Sequence, residues 1–327
     1  MTGRRLAAAL ALAALTACAR DGAGQRVSER VNEAGPGARA NEGSNERASE
    51  HSSVGAPAAR GTAGDTPSEA HRVVSVSPAA TEALFAVGAG DRVVGRSRFC
   101  DWPPEVMKLP AVGGMIDADF EAIVGLAPDL LVGAPGPPST RLADKLSAFK
   151  VATWFPETNS LAAVDAMILE AGERTGHAAD ARRVTATVDA RIAEVEHAVA
   201  EEPSPRVLMV VDLNPVVATG PKDFLDDLLR RAGGRNVLSV GASWQTLDFE
   251  AISGLDPDIV LDASSMSGGG PTRITPDAHG WVGVRAVREG HVVALTDVRV
   301  LRPGPRIAEG LAILARALHP RAPVPSW

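Results

Sequence analysis

The chain has 327 residues, 45% of them apolar, a formal net charge of −7 and no Tyr. That length holds two compact domains with a segment to spare, and the apolar fraction is enough to build their cores. The mild negative balance excludes a nucleic-acid binder, which needs a basic face, and the missing phenol excludes ferric-ion capture through phenolate oxygens.

In chain order, the first element is an export signal. Arg4 and Arg5 precede an apolar run, Leu6 to Leu15, that is too short to cross a bilayer as a mature helix. Its end, Leu15-Thr16-Ala17-Cys18, resembles the lipobox of bacterial lipoproteins. The resemblance implies that residues 1–18 form a lipoprotein signal peptide, that Cys18 carries lipid, and that the mature protein is anchored to a membrane on its extracytoplasmic, periplasmic side. Cys100 is then alone, so no disulfide framework is expected. Residues 19–71 are rich in Gly, Ala, Ser, Glu and Arg, with almost no large apolar side chains. Such a stretch cannot offset its ordering entropy and reads as a disordered tether.

Folded structure is expected from Arg72. The β-branched run Val73 to Val76 predicts a strand, Ser77-Pro78 opens a helix through Thr81 to Val87, and Arg92 to Gly95 predicts the next strand. The segment from Asp119 predicts a helix followed by a strand at Leu130 to Val132, and Val151 to Trp154 predicts another. From Ser160 the apolar residues fall at helical spacing, with a break near Gly176-His177. The stretch Asp180 to Glu201, free of Gly and Pro, reads as one long helix closed by Pro203 and Pro205. The strand–helix alternation then restarts with Arg206 to Val211, a helix over Asp223 to Ala232, a helix from Asp248 and a strand at Ile259 to Leu261. Alternation of this kind implies mainly parallel sheets covered by helices. The organisation expected is an N-terminal α/β lobe over 72–178, a linking helix over 179–203 and a C-terminal α/β lobe over 204–320. Each lobe is Rossmann-like, and the linking helix should limit them to modest closure.

One segment occurs twice. Asp119-Phe120-Glu121-Ala122-Ile123-Val124-Gly125-Leu126-Ala127-Pro128-Asp129 and Asp248-Phe249-Glu250-Ala251-Ile252-Ser253-Gly254-Leu255-Asp256-Pro257-Asp258 match at nine of eleven positions. Two copies are too few for a solenoid and fit two lobes built on one plan. Each Asp is a helix N-cap candidate, and each Glu lies in the first turn, where the helix dipole favours an anion. On the residues alone, a first-turn role accounts for both glutamates.

Ser77-Pro78-Ala79-Ala80-Thr81-Glu82, Phe99-Cys100-Asp101-Trp102-Pro103-Pro104-Glu105, Leu109-Pro110-Ala111-Val112-Gly113-Gly114, the two repeat segments and Arg302-Pro303-Gly304-Pro305-Arg306 together resemble the cobalamin-type periplasmic solute-binding proteins of ABC importers. The resemblance runs from about Arg72 to His319 and extends, more loosely, to ferric-siderophore and haem binders of the same fold. It implies a class III periplasmic binding protein architecture, two α/β lobes joined by one long helix, which captures a corrinoid or another large metal chelate between the lobes. It also implies delivery to an ABC permease dimer, with Glu121 and Glu250 as docking residues. By the same correspondence the ligand-binding residues are Ser77, Pro78, Phe99 and Trp102 on one lobe and Trp244 and Arg302 on the other. Met115 stands where cobalamin binders carry a Trp, six residues before the first docking Glu. Aromatic faces suit a large planar ligand, giving apolar area at little entropic cost.

Other classes fit less well. The seven His, at 51, 71, 177, 197, 279, 291 and 319, are scattered and show no metal-ligand spacing. No metal site and no cofactor are expected. Catalysis would need a base beside Cys100, and no His lies in its motif. The Gly-rich stretch Ser267-Gly268-Gly269-Gly270 lacks the Lys-Ser/Thr of a phosphate-binding loop. A chelatase-like enzyme and an envelope sensor of the same fold remain as alternatives from other classes.

Overall fold

The computed structural model describes residues 69–267 and 272–327. Cys18, the tether through residue 68 and the Gly268-Pro271 loop lie outside the described residues. Four strands form the first sheet: β1 (Val73–Ser75), β2 (Val93–Arg96), β3 (Leu130–Val132) and β4 (Ala152–Trp154), all parallel, in the order β2-β1-β3-β4. Five more strands run along the second sheet in the order β10-β9-β5-β6-β8. They are β5 (Arg206–Leu213), β6 (Val216–Thr219), β8 (Trp244–Thr246), β9 (Ile259–Asp262) and β10 (Val292–Ala294). The short β7 (Arg235–Asn236) joins the start of β5.

Around these sheets lie α1 (Pro78–Ala86), α2 (Phe120–Gly125), α3 (Pro137–Ser147), α4 (Leu161–Thr175), α5 (Ala178–Val199), α6 (Phe224–Arg231), α7 (Phe249–Leu255), α8 (Arg285–Arg288) and α9 (Ile307–Leu318). The linking helix α5 starts and ends two residues earlier than its apolar pattern indicated, and at 1.5 Å per residue its length is about 33 Å. The break at Gly176-His177 is a left-handed turn: Gly176 takes φ 76°, and α4 and α5 fold back on each other. Their close approach depends on Gly172, where a Cβ would lie 2.4 Å from the Cβ of Ala181.

The second sheet departs from the parallel expectation at one edge. β5 turns back on itself at Asn214-Pro215 into β6, and β8 pairs antiparallel with β6. Val216, Val217, Ala218 and Thr219 are all buried, so this strand has no alternation of apolar and polar residues to mark it. The largest core cluster runs through both lobes. Val188, Ile192, Val195 and Val199 of α5 and Leu311, Leu314 and Leu318 of α9 join residues of α1 and α4 to those of α6 and β5.

The two copies of the repeat fold alike, and each recruits an Arg that the sequence pattern did not show as part of it. Arg72 donates from Nη2 to Leu126 O at 2.7 Å and from Nε to Ala127 O at 3.0 Å; Arg206 does the same to Leu255 O and Asp256 O, at 2.6 and 3.4 Å. These groups are helix-end carbonyls left without intrahelical partners. Ala127 and Asp256 both turn left-handed, at φ 46° and 41°. The Asp that closes each copy then accepts from the backbone at the start of the lobe's first strand: Asp129 from Arg72 N at 3.1 Å, Asp258 from Arg206 N at 2.9 Å. Each duplicated unit is therefore a helix tied at its end to the strand that founds its lobe.

Where α4, α5 and α6 meet, Asp165 is half-buried and faces the charge of Asp189. Burial, with the neighbouring carboxylate, raises its pKa to about 6, against an opposing pull from Arg231. The unfolded chain releases this proton near pH 4, so the native state binds more protons between about pH 4 and 6, and stability falls as pH rises through that window. Asp165→Asn should therefore raise denaturant-measured stability at pH 7.5, by roughly 1 kcal/mol after allowing for solvent screening, and leave it unchanged at pH 4. Equal gains at both pH values would refute the assignment.

Candidate ligand cleft and docking rim

The carboxyl ends of β1 and β2 carry a buried polar knot that holds the loop with the candidate aromatics. The side chain of Ser77 caps α1 by accepting from Ala80 N, with Pro78 at the first helical position. Thr81 Oγ1 contacts Ser75 Oγ at 2.8 Å, Ser77 O at 2.9 Å and the Cys100 Sγ at 3.1 Å, and Ser97 Oγ lies 3.1 Å from the same sulfur. Burial pushes the Cys100 thiol pKa up, opposed by hydrogen bonds from Ser97 and Thr81. The thiol acts as a packed donor and acceptor, since a nucleophile would need the thiolate. Arg96, itself buried, donates from Nη1 to Ser97 O at 3.0 Å and Cys100 O at 3.3 Å.

Phe99 and Trp102 emerge from this pinned loop, and each has a guanidinium over its ring. Arg98 lies 4.8 Å from the Phe99 centroid, and its Nη2 also donates to both oxygens of Asp117, at 2.7 and 2.8 Å. That contact fastens the neighbouring 113–118 turn, where Met115 is half-buried. A Cβ on Gly114 would lie 2.3 Å from Asp117 Oδ1 and 2.8 Å from Arg98 Nη2, so a larger residue would displace this exposed ion pair. Trp102 is 42% exposed, and Arg306 of the other lobe sits 4.5 Å from its centroid.

Arg302 and Arg306 reach from the segment before α9 to the first lobe. Glu82 of α1, only 3% exposed, accepts from Arg302 Nη1 at 2.8 Å and from Arg306 Nε and Nη2 at 2.9 and 2.5 Å. Arg302 Nη1 also donates to Asp101 Oδ1 at 2.7 Å. Desolvation lowers the Arg302 pKa, and its bonds to Glu82 and Asp101 outweigh that, for a net rise. The structure thus brings Trp102, Arg302, Asp101, Glu82 and Arg306 together. Sequence reasoning missed Glu82 and Arg306 as partners. The available signal was a lone carboxylate in a mainly apolar helix and a second Arg four residues after Arg302.

Trp244 is placed apart. It opens the edge strand β8 opposite Thr219 and is half-buried against the large core, with no ring contact to Phe99 or Trp102 among the described residues.

On the rim, Asp119 and Asp248 cap α2 and α7 by accepting from Ala122 N at 3.0 Å and Ala251 N at 2.7 Å. Glu121 and Glu250 follow in matching first-turn positions and are exposed. Neither carboxylate is engaged in a hydrogen bond or ion pair among the described residues. In the second copy Arg285 pairs with Asp256 at 2.8 Å and Asp258 at 2.9 Å, a cluster with no counterpart where Ala127 replaces Asp256. Among the described residues, no group of three or more His, Cys, Asp or Glu is placed to hold a metal ion. No helix among them is long and apolar enough to cross a membrane.

This arrangement has relatives. The sequence profile of a family described as periplasmic binding protein matches residues 73–298. A cobalamin-binding protein of Halobacterium salinarum is 29% identical over 265 residues, covering 77% of this chain and 70% of that protein. An uncharacterised ABC transporter substrate-binding lipoprotein of Bacillus subtilis is 26% identical over 260 residues, covering 77% and 81%. Among solved structures, the apo form of the periplasmic haem-binding protein RhuT from Roseiflexus sp. RS-1 superposes with a TM-score of 0.67 at 27% identity, covering 76% of this chain and 98% of that one. Two α/β lobes, one long helix between them and a profile match spanning both lobes lead to one assignment: the chain belongs to the periplasmic binding protein family.

Proposed function

We propose that this protein is a lipid-anchored solute-binding protein that captures a corrinoid between its lobes and passes it to an ABC permease. The observation that carries the ligand class is the Trp102 ring, 42% exposed on a loop backed by a buried polar knot, with Arg306 stacked on it; a flat ligand would take its remaining exposed surface. Phe99 on the same loop extends that apolar surface, and Met115 contributes a soft side chain from the adjoining turn. Ser77 and Pro78 shape the floor, and Arg302 lines it from the second lobe. Trp244 joins the ligand face if closure brings its edge strand inward. The cobalamin-binding relative, at 29% identity over most of both chains, supports the corrinoid.

Haem is the second reading, supported by the haem-binding structural neighbour. Against it, the chain offers no Tyr to haem iron, and Cys100 is buried, with its thiol pKa pushed up. Lipid anchoring through Cys18 rests on the lipobox motif and on the lipoprotein relative.

Docking rests on the rim. Two exposed carboxylates at equivalent points of two equivalent helices suit a receiver with paired cationic pockets. Permeases of this kind are dimers, and a pseudo-two-fold rim offers the same group to each half.

Two experiments test the reading. Titration of the purified chain with cyanocobalamin, cobinamide, haem and ferric siderophores should give saturable binding to the corrinoids, weakened roughly tenfold by Phe99→Ala. Binding to haem or a siderophore alone would replace the corrinoid, and binding to none would favour the sensor. For docking, the Glu121→Ala, Glu250→Ala double variant should lose cobalamin uptake in cells while keeping the affinity of the parent chain. Undiminished uptake would remove the docking role.

A further inference from the structure

The five-residue segment Arg302-Pro303-Gly304-Pro305-Arg306 does more than fill space beside the cleft. Its backbone lies against α1: a Cβ on Gly304 would sit 3.4 Å from Ala79 O and 3.7 Å from Glu82 Oε2. Its two guanidinium groups make three hydrogen bonds to one buried carboxylate, with Glu82 Oε1 accepting from both arginines and Oε2 from Arg306 alone. A buried carboxylate is tolerated only when it is paired and fully hydrogen-bonded, so separating the lobes here would leave Glu82 uncompensated. The Arg306 guanidinium that holds Glu82 also covers the Trp102 ring. Arg302 holds Asp101, the residue before Trp102, as well as Glu82.

The geometry points to Glu82 and Arg306 as positioning residues of the ligand site: together they set the plane of the Trp102 ring and couple that plane to the spacing of the two lobes. This rests on the reading that Trp102 contacts the ligand. Arg306 is fixed at Glu82 by two N–H donors in a flat fork, which a Lys cannot reproduce. A ligand stacked on the open face of Trp102 thus presses on a ring whose other face is backed by a group anchored in the opposite lobe. Tilting of the ring and opening of the lobes are one motion, because the same guanidinium would have to move for either.

A double-mutant cycle on the purified full chain, read by calorimetric titration with cyanocobalamin, tests the coupling. Trp102→Ala should weaken binding, and Glu82→Gln should weaken it by roughly tenfold. Added to Trp102→Ala, the Glu82→Gln change should cost little more, because its effect passes through the ring. Should Glu82→Gln fail to fold, Arg306→Lys keeps the charge and loses the flat stack, and the same cycle is run with it. Fluorescence of Trp102, isolated by difference against Trp102→Phe, should become more accessible to acrylamide in Arg306→Lys. Additive losses, or full affinity in both clasp variants, would overturn the coupling and leave the ligand reading standing. Full affinity in Trp102→Ala would overturn both.

Discussion

A carboxylate almost wholly removed from water, on a helix whose only other polar side chain is that of Thr81, constrains much of this molecule. Among the described residues the Glu82 carboxylate has no partner within its own lobe, and the N–H groups it needs come from residues more than 200 positions later. Its burial is stable only with the lobes in contact, so the segment before α9 must return to the first lobe. Asp101, Trp102 and the loop they belong to are then fixed relative to that segment. The buried hydroxyls and thiol behind the loop extend the same logic inward: Ser75, Thr81, Ser97 and Cys100 find partners among themselves, although Arg96 Nε beside them is buried without one.

The linking helix and the shared core work in the same direction. A large apolar cluster that runs from α1 through α5 and α9 to α6 does not split along a plane between the lobes, so a wide swing would expose packed side chains. Restricted closure follows from packing as well as from the ionic contact. A ligand would then meet a largely preformed surface, with little free energy going into domain closure.

Much of this was legible in the sequence because it was periodic or repeated. The strand–helix alternation, the 22-residue helix α5 and the nine shared positions of the repeat all appear as patterns in one dimension, and they survive in three with shifts of a residue or two. The parts that escaped have no such pattern. The strand β6 is buried on both faces and reads as a bare apolar run beside a turn. Arg72 and Arg206 belong to the repeat through contacts about 50 residues away, beyond the matched segment. Glu82 and Arg306 are the extreme case, since their pairing depends on how the chain ends return to one another. Family correspondence marked Arg302 and Trp102 as neighbours of the ligand, but the arginine that touches the ring is Arg306.

The matching of α2 and α7 extends to the start of each lobe's first strand and stops there. Behind it one sheet is fully parallel with four strands, and the other carries an antiparallel edge. Glu121 and Glu250 thus hold equivalent places on two equivalent helices, while the sheets behind them differ. A receiver built from two identical halves would meet the same pair of charges whichever way round the binder arrived. Two approach poses would then be productive where an asymmetric rim offers one. That degeneracy is worth RT ln 2, about 0.4 kcal/mol of encounter free energy, and it comes from duplication alone, without a further contact. The cargo would nevertheless arrive in either of two opposed orientations, so whatever accepts it must be tolerant of its direction.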